Sequence, residues 1–126
     1  MTPCTENSAL LLFAHGSSDP GWAEPFIKLK AAVQAREPER KIELAFLERM
    51  EPSFDDAVIS LHRQGVKRIT VAPIFLAIGG HMRNDLPKLI DEARLRTGIE
   101  FEVLPALGEV DTVIAAIADW VTASAR

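Results

Sequence analysis

The stretch "RITVAPIFLAIGGHMRNDLPKLIDEARLRTG", Arg68 to Gly98, changes its hydrophobic period partway along. Its first part, Arg68 to Phe75, is a short run rich in β-branched and aliphatic residues, as a buried strand requires. Its last part places Leu86, Leu89, Ile90 and Ala93 at helical spacing and ends on Gly98, where a glycine closes a helix. Asp85 reads as the N-cap of that helix, with Pro87 in its first turn. Between the two lies a polar turn carrying Gly79, Gly80 and His81. One strand, one loop and one amphipathic helix in succession make a βα unit.

The same alternation runs along the rest of the chain. Strands are expected at Ala9 to Ala14, Ile42 to Leu47 and Glu100 to Pro105. Helical stripes are expected at Phe26, Leu29 and Val33, then at Phe54, Ala57, Val58 and Leu61, and finally at Val110, Val113, Ile114, Ile117 and Val121, each to lie on the sheet. Ser53 with Asp56 resembles a capping box at the start of the second helix, and Gly65 stands where that helix would close. Repeated βα units imply an α/β fold around a parallel sheet. The right-handed crossover rule favours a flavodoxin-like, three-layer sandwich with a four-stranded parallel sheet in the order 2-1-3-4. In that order the winding reverses between strands one and three, so the crevice beyond their carboxyl ends is the expected ligand site.

With 126 residues, 48% of them hydrophobic, the chain reads as a single domain over 1–126, with residues 1–8 as a loose leader. The 14 basic and 18 acidic residues provide no positive field for nucleic acid or an anionic membrane, and Gly, Pro or charge interrupts every apolar run before membrane-spanning length. One cysteine, Cys4, permits no intramolecular disulfide, and no secretory pattern is visible, so a cytoplasmic protein is expected. A small ligand or a protein partner fits this balance best.

The polar residues gather at the predicted strand ends. His15 follows the first strand in "HGSSDPGW", with Gly16, Ser17 and Ser18 after it; Glu48 and Arg49 follow the second; His81 follows the third. Each has an ordinary reading, as a cap, a hydrogen-bonded rim residue or a solvated charge. Together, two imidazoles and a carboxylate on one rim form a set that can bind a metal or move protons. The serines can cap the first helix or present hydroxyls and N–H groups to an anion. Gly79 and Gly80 permit a tight turn and close approach of a ligand. His62 lies mid-helix beside an apolar stripe and reads as structural.

Three motifs in order carry a resemblance: "HGS" at His15 to Ser17, "FLE" followed by "EPS" from Phe46 to Ser53, and P-x-F-L-x-x-G-x-H-x-x-x-D-x-P from Pro73 to Pro87. The sequence resembles the small class II chelatases of the CbiX and SirB type, from Leu11 to about Leu107. The resemblance implies a chelatase-like sandwich that inserts a divalent metal ion, Co²⁺ or Fe²⁺ (Ni²⁺ being a further choice), into sirohydrochlorin for cobalamin or sirohaem biosynthesis. It implies catalytic roles for His15 and His81, a metal set of His15, Glu48 and His81, and pairing as a homodimer. Many members have an arginine where this chain has Ser18.

The chemistry asks for the same residue types. Insertion requires a borderline metal ion to shed water while pyrrole N–H protons leave, and imidazole can ligate the one or accept the other near neutral pH. A tetrapyrrole rich in carboxylates calls for basic rim groups, for which Arg49 and Arg83 are placed; Ser17, Ser18, Gly79 and Gly80 complete the expected substrate contacts. No GxxxxGK[ST] loop is present, so the reaction is expected to be independent of ATP and of any organic cofactor. A non-catalytic metal or tetrapyrrole carrier would use the same residues. A histidine phosphatase would carry arginine immediately before the first histidine, where this chain has Ala14.

Overall fold

The structure is a computed structural model and describes residues 7–125. Its strands are β1 (Ser8–Ala14), β2 (Lys41–Phe46), β3 (Arg68–Pro73) and β4 (Glu100–Val103), all parallel, in the order β2-β1-β3-β4. The helices are α1 (Glu24–Arg36), α2 (Phe54–Arg63), α3 (Gly80–Thr97) and α4 (Asp111–Ser124). The expected sheet order is the one observed. Ser8 already belongs to β1, inside the stretch read as a leader, whereas residues 1–6, Cys4 among them, lie outside the described residues.

The sheet's first face carries the main core. Leu11 and Phe13 of β1 and Ile69 and Val71 of β3 are almost wholly buried there against Phe54, Val58 and Leu61 of α2 and Leu86 and Ile90 of α3. The β1 and β3 side chains on this face alternate with residues of the opposite face, as the two-residue period of a strand requires. Ser53 caps α2 by accepting from the Asp56 N–H at 3.1 Å, and Gly65 and Gly98, at φ 88° and 76°, end α2 and α3 in the left-handed region. These local signals act as the sequence reading expects.

The second face is covered unevenly. Leu12, Ala14, Ile42, Leu44 and Phe46 form a smaller cluster on which Phe26 and Val33 of α1 pack together with Trp22 and Met50. Leu29, placed on that stripe by its spacing, is instead 36% exposed. No residue of α4 joins either cluster, although its stripe was expected on the sheet. A helical period identifies the side of a helix suited to burial, but not the surface that buries it.

The start of α3 also differs from expectation. Gly79 is its N-cap in place of Asp85, so the helix opens at Gly80, and both Asp85 and Pro87 lie inside it. Pro87 lacks the N–H that an interior helical residue would donate. The longer helix puts His81 in its first turn rather than in a preceding loop.

Candidate functional site on the strand rim

The β1–β2 ladder does not stop where the strands do. Beyond it the Leu47 N–H donates to the Ala14 carbonyl at 2.9 Å and the Glu48 N–H to the His15 carbonyl at 3.1 Å. These two bonds carry Glu48 alongside His15 at the carboxyl end of the sheet. Gly16 makes the approach possible: its φ is 96°, and a Cβ there would run into the Glu48 carbonyl. Arg49 follows with φ 68°, which turns the chain away from the strand direction.

The side chains repeat this convergence. Nδ1 of His15 and Oε2 of Glu48 are 3.8 Å apart, and Nε of Arg49 is 3.7 Å from the same oxygen. About half of each of the His15 and Glu48 side chains is open to solvent, so the pair is available to a ligand and contributes little to stability. His15 Nδ1 also lies 3.4 Å from the Gly16 carbonyl. Phe75 sets an edge against the imidazole, with ring centroids 6.3 Å apart, and meets the buried Phe13 at 6.0 Å. Phe75 was not among the expected site residues; the "PxFL" motif contained it, but nothing in the sequence showed which histidine it would face.

His81 lies beyond β3 in the first turn of α3, exposed, and its side chain makes no hydrogen bond or ion pair among the described residues. The structure brings His15, Glu48 and Arg49 together and does not bring His81 into contact with them. Among the described residues no three His, Cys, Asp or Glu side chains are grouped closely enough to hold a metal ion. His62 is exposed in the last turn of α2, away from the rim.

The remaining expected residues divide between two sides of His15. Ser17, Ser18 and Arg49 line an open groove of about 560 Å³ between α1 and the end of β2, walled by Ile27, Phe46 and Met50. Arg83 lies beyond β3, in a hollow with Leu76, Ala77, Gly108 and Glu109. The serines do not cap α1, which begins only at Glu24: the Ser17 hydroxyl accepts from the Asp19 N–H at 3.0 Å, while Asp19 caps the 3₁₀ turn Pro20–Ala23 through the Gly21 N–H at 3.1 Å. Gly79 and Gly80 have no positive φ, and a Cβ on either would meet nothing within 4 Å, so no tight turn accounts for them.

A histidine and a carboxylate facing each other at the carboxyl ends of β1 and β2 stand on the rim where parallel sheets of the doubly wound class carry their ligand sites. Comparison with known proteins narrows this. The CbiX family profile matches residues 9–124, and the chain belongs to that family. It is 40% identical over 82 residues to a sirohydrochlorin cobaltochelatase of Methanocaldococcus jannaschii, a match covering 65% of this chain and 57% of that protein. It is 33% identical over 99 residues to a sirohydrochlorin cobaltochelatase of Saccharolobus solfataricus, covering 75% of this chain and 76% of that one. Among solved structures, a CbiX protein of Marinobacter aquaeolei superposes with a TM-score of 0.80 at 36% identity, over 91% of this chain and 94% of that chain. The sirohydrochlorin chelatase SirB of Bacillus subtilis, in complex with cobalt, superposes with the same TM-score at 25% identity, over 95% of this chain but only 52% of SirB.

Proposed function

We propose that this chain inserts a divalent metal ion, Co²⁺ or Fe²⁺, into sirohydrochlorin without ATP or an organic cofactor. The observation that carries the reading is the His15–Glu48 pair, held open to solvent at the carboxyl end of β1 by the continued ladder and by Gly16. The cobaltochelatase relatives and the cobalt complex of SirB support the metal and the substrate. Nickel fits the same imidazole and carboxylate donors.

In this reading His15 and Glu48 receive the incoming ion, and His81 serves from the first turn of α3 as the third donor or as the base for a pyrrole N–H proton. A pair of donors leaves coordination positions open, which suits an ion that must pass on to four pyrrole nitrogens; a closed set would retain it. Glu48 orients the His15 ring through the Nδ1 side, as carboxylates do for ligating imidazoles. Arg49 and Arg83, on the two sides of His15, anchor substrate carboxylates, with Ser17, Ser18, Gly79 and Gly80 lining the approach. The chain acts as one domain and as a homodimer, in the cytoplasm, where a protein with one cysteine has no disulfide to form within itself.

The test is the absorbance change of sirohydrochlorin with Co²⁺ or Fe²⁺ at protein concentrations far below substrate. Multiple turnovers above the uncatalysed rate are expected. A spectral change that stops at one equivalent of protein identifies a carrier instead.

A further inference from the structure

Helix α3 carries two start signals, and the structure uses one of them. Gly79 caps the helix without a side-chain hydrogen bond, and the Arg83 N–H closes the first turn on the Gly79 carbonyl at 3.0 Å. Further in stand Asp85 and Pro87, a side chain suited to an N-cap and a ring suited to a first turn.

Three residues fit the long helix poorly. Asp85 is exposed, and its carboxylate makes no hydrogen bond or ion pair among the described residues. Pro87 has no N–H to give the Arg83 carbonyl, the acceptor four residues back, and its ring crowds that carbonyl. Gly80 begins the helix with no positive φ and with open space around its Cβ position, where alanine would hold a helix better. One alternative suits all three. With α3 opening at Leu86, Asp85 becomes the N-cap and accepts from the Lys88 N–H, Pro87 takes a first-turn position that needs no donor, and Gly79 and Gly80 lie in a loop that uses their freedom.

The packing permits this exchange. Leu86, Ile90 and Ala93, which hold α3 on the main core, belong to the short helix as well as to the long one. In the turn ahead of them only Met82 is buried, while Gly80, His81, Arg83 and Asn84 are exposed. Unwinding Gly80 to Asn84 lets that span lengthen from about 8 Å to about 17 Å. His81 gains reach while the body of α3 stays in place.

We propose that α3 switches between these two starts, and that the short form, capped by Asp85, carries His81 on a loop that closes over the rim onto His15 and Glu48. The switch rests on the metal-receiving role proposed for that pair. In the long form no three donors are grouped among the described residues, so an ion that His81 joins binds the short form better and draws the population to it. Arg83 lies on the same segment, so a basic group for substrate carboxylates arrives with His81.

The experiment titrates the full chain with Co²⁺ alone, without tetrapyrrole. Far-ultraviolet circular dichroism is expected to lose about one turn of helix as the ion binds. Pro87→Ala, which restores the missing donor, and Asp85→Ala, which removes the alternative cap, are each expected to raise Tm and to weaken Co²⁺ binding about 10-fold. Stability and affinity then move in opposite directions, which loss of a merely structural residue does not produce. Asp85→Asn, which keeps a capping side chain without the charge, is expected to bind Co²⁺ as the unaltered chain does. Unaltered affinity in both alanine variants, or a helical signal that does not fall, overturns the switch even where sirohydrochlorin is metallated. A chain that passes these tests with Co²⁺ and yet fails to turn over sirohydrochlorin removes the chelatase reading and leaves the switch standing.

Discussion

The carbonyl of Glu48 occupies the place that a Cβ on Gly16 would take, while the Glu48 N–H donates to the carbonyl of His15 at 3.1 Å. The backbone on both sides of the ladder thus fixes how far the Glu48 carboxylate stands from the imidazole. A hydrogen atom in place of a side chain at residue 16 sets how closely the two strand ends that carry His15 and Glu48 approach.

Gly16→Ala is expected to separate the two strand ends. The substitution adds a left-handed φ for a residue with Cβ to a collision with backbone, so a loss of ~1–3 kcal/mol in unfolding free energy is expected, together with loss of insertion. Urea unfolding followed by circular dichroism checks the first, and sirohydrochlorin absorbance the second. Gly79→Ala, with nothing within 4 Å of its Cβ, should fold normally and serves as the contrast.

His15→Ala and His81→Ala are each expected to lower the insertion rate about 100-fold. Both residues are exposed, so thermal unfolding should move by no more than a degree or two. His62→Ala should leave turnover unchanged. Wild-type rates in both rim variants, measured with Co²⁺ and Fe²⁺, would remove the histidines from the mechanism.

Glu48→Gln removes the charge that faces His15 and Arg49 from one oxygen, at 3.8 and 3.7 Å. The apparent KM for the metal should rise about 10-fold, the range seen when a ligand's carboxylate partner is lost. Arg49→Ala should instead raise KM for the tetrapyrrole and make that KM less sensitive to salt. Identical kinetic effects of the two substitutions would show that they do not divide the work in this way.

Phe75→Leu tests how the core reaches the rim. Its ring stands between His15, at 6.3 Å, and the fully buried Phe13, at 6.0 Å. Stability is expected to fall by about 1 kcal/mol, while kcat falls several-fold because the imidazole loses its lateral support. Ser53→Ala, which removes the cap bond to Asp56, should lower stability by a similar ~1 kcal/mol with no change in kcat.

Much of this architecture follows from local rules that act over a few residues. Alternation of strand and helix periods determined the four βα units, and crossover handedness then left the order 2-1-3-4. Ser53, Gly65 and Gly98 marked helix ends because a cap bond or a left-handed φ is a property of its own turn. His15 and Glu48 could be placed at strand ends for the same reason, because position along a strand is a matter of counting, whereas His81, expected at the third strand's end, lies in the first turn of α3. Local rules also misled where two of them competed, as at Asp85 and Pro87, which resemble a helix start but lie inside α3 because Gly79 caps it earlier.

What the sequence could not decide are distances between elements and the choice of partner surface. That Glu48 meets His15 while His81 stands apart depends on the ladder continuing past β1 and β2 and on α3 opening at Gly80. The amphipathic stripe of α4 was determined by its own residues, but a stripe specifies only that it will be buried. Whether it meets its own sheet was decided by the turn that Leu107 and Gly108 pin to the end of β3, because backbone hydrogen bonds fix the direction in which a helix leaves and the hydrophobic effect has no direction of its own.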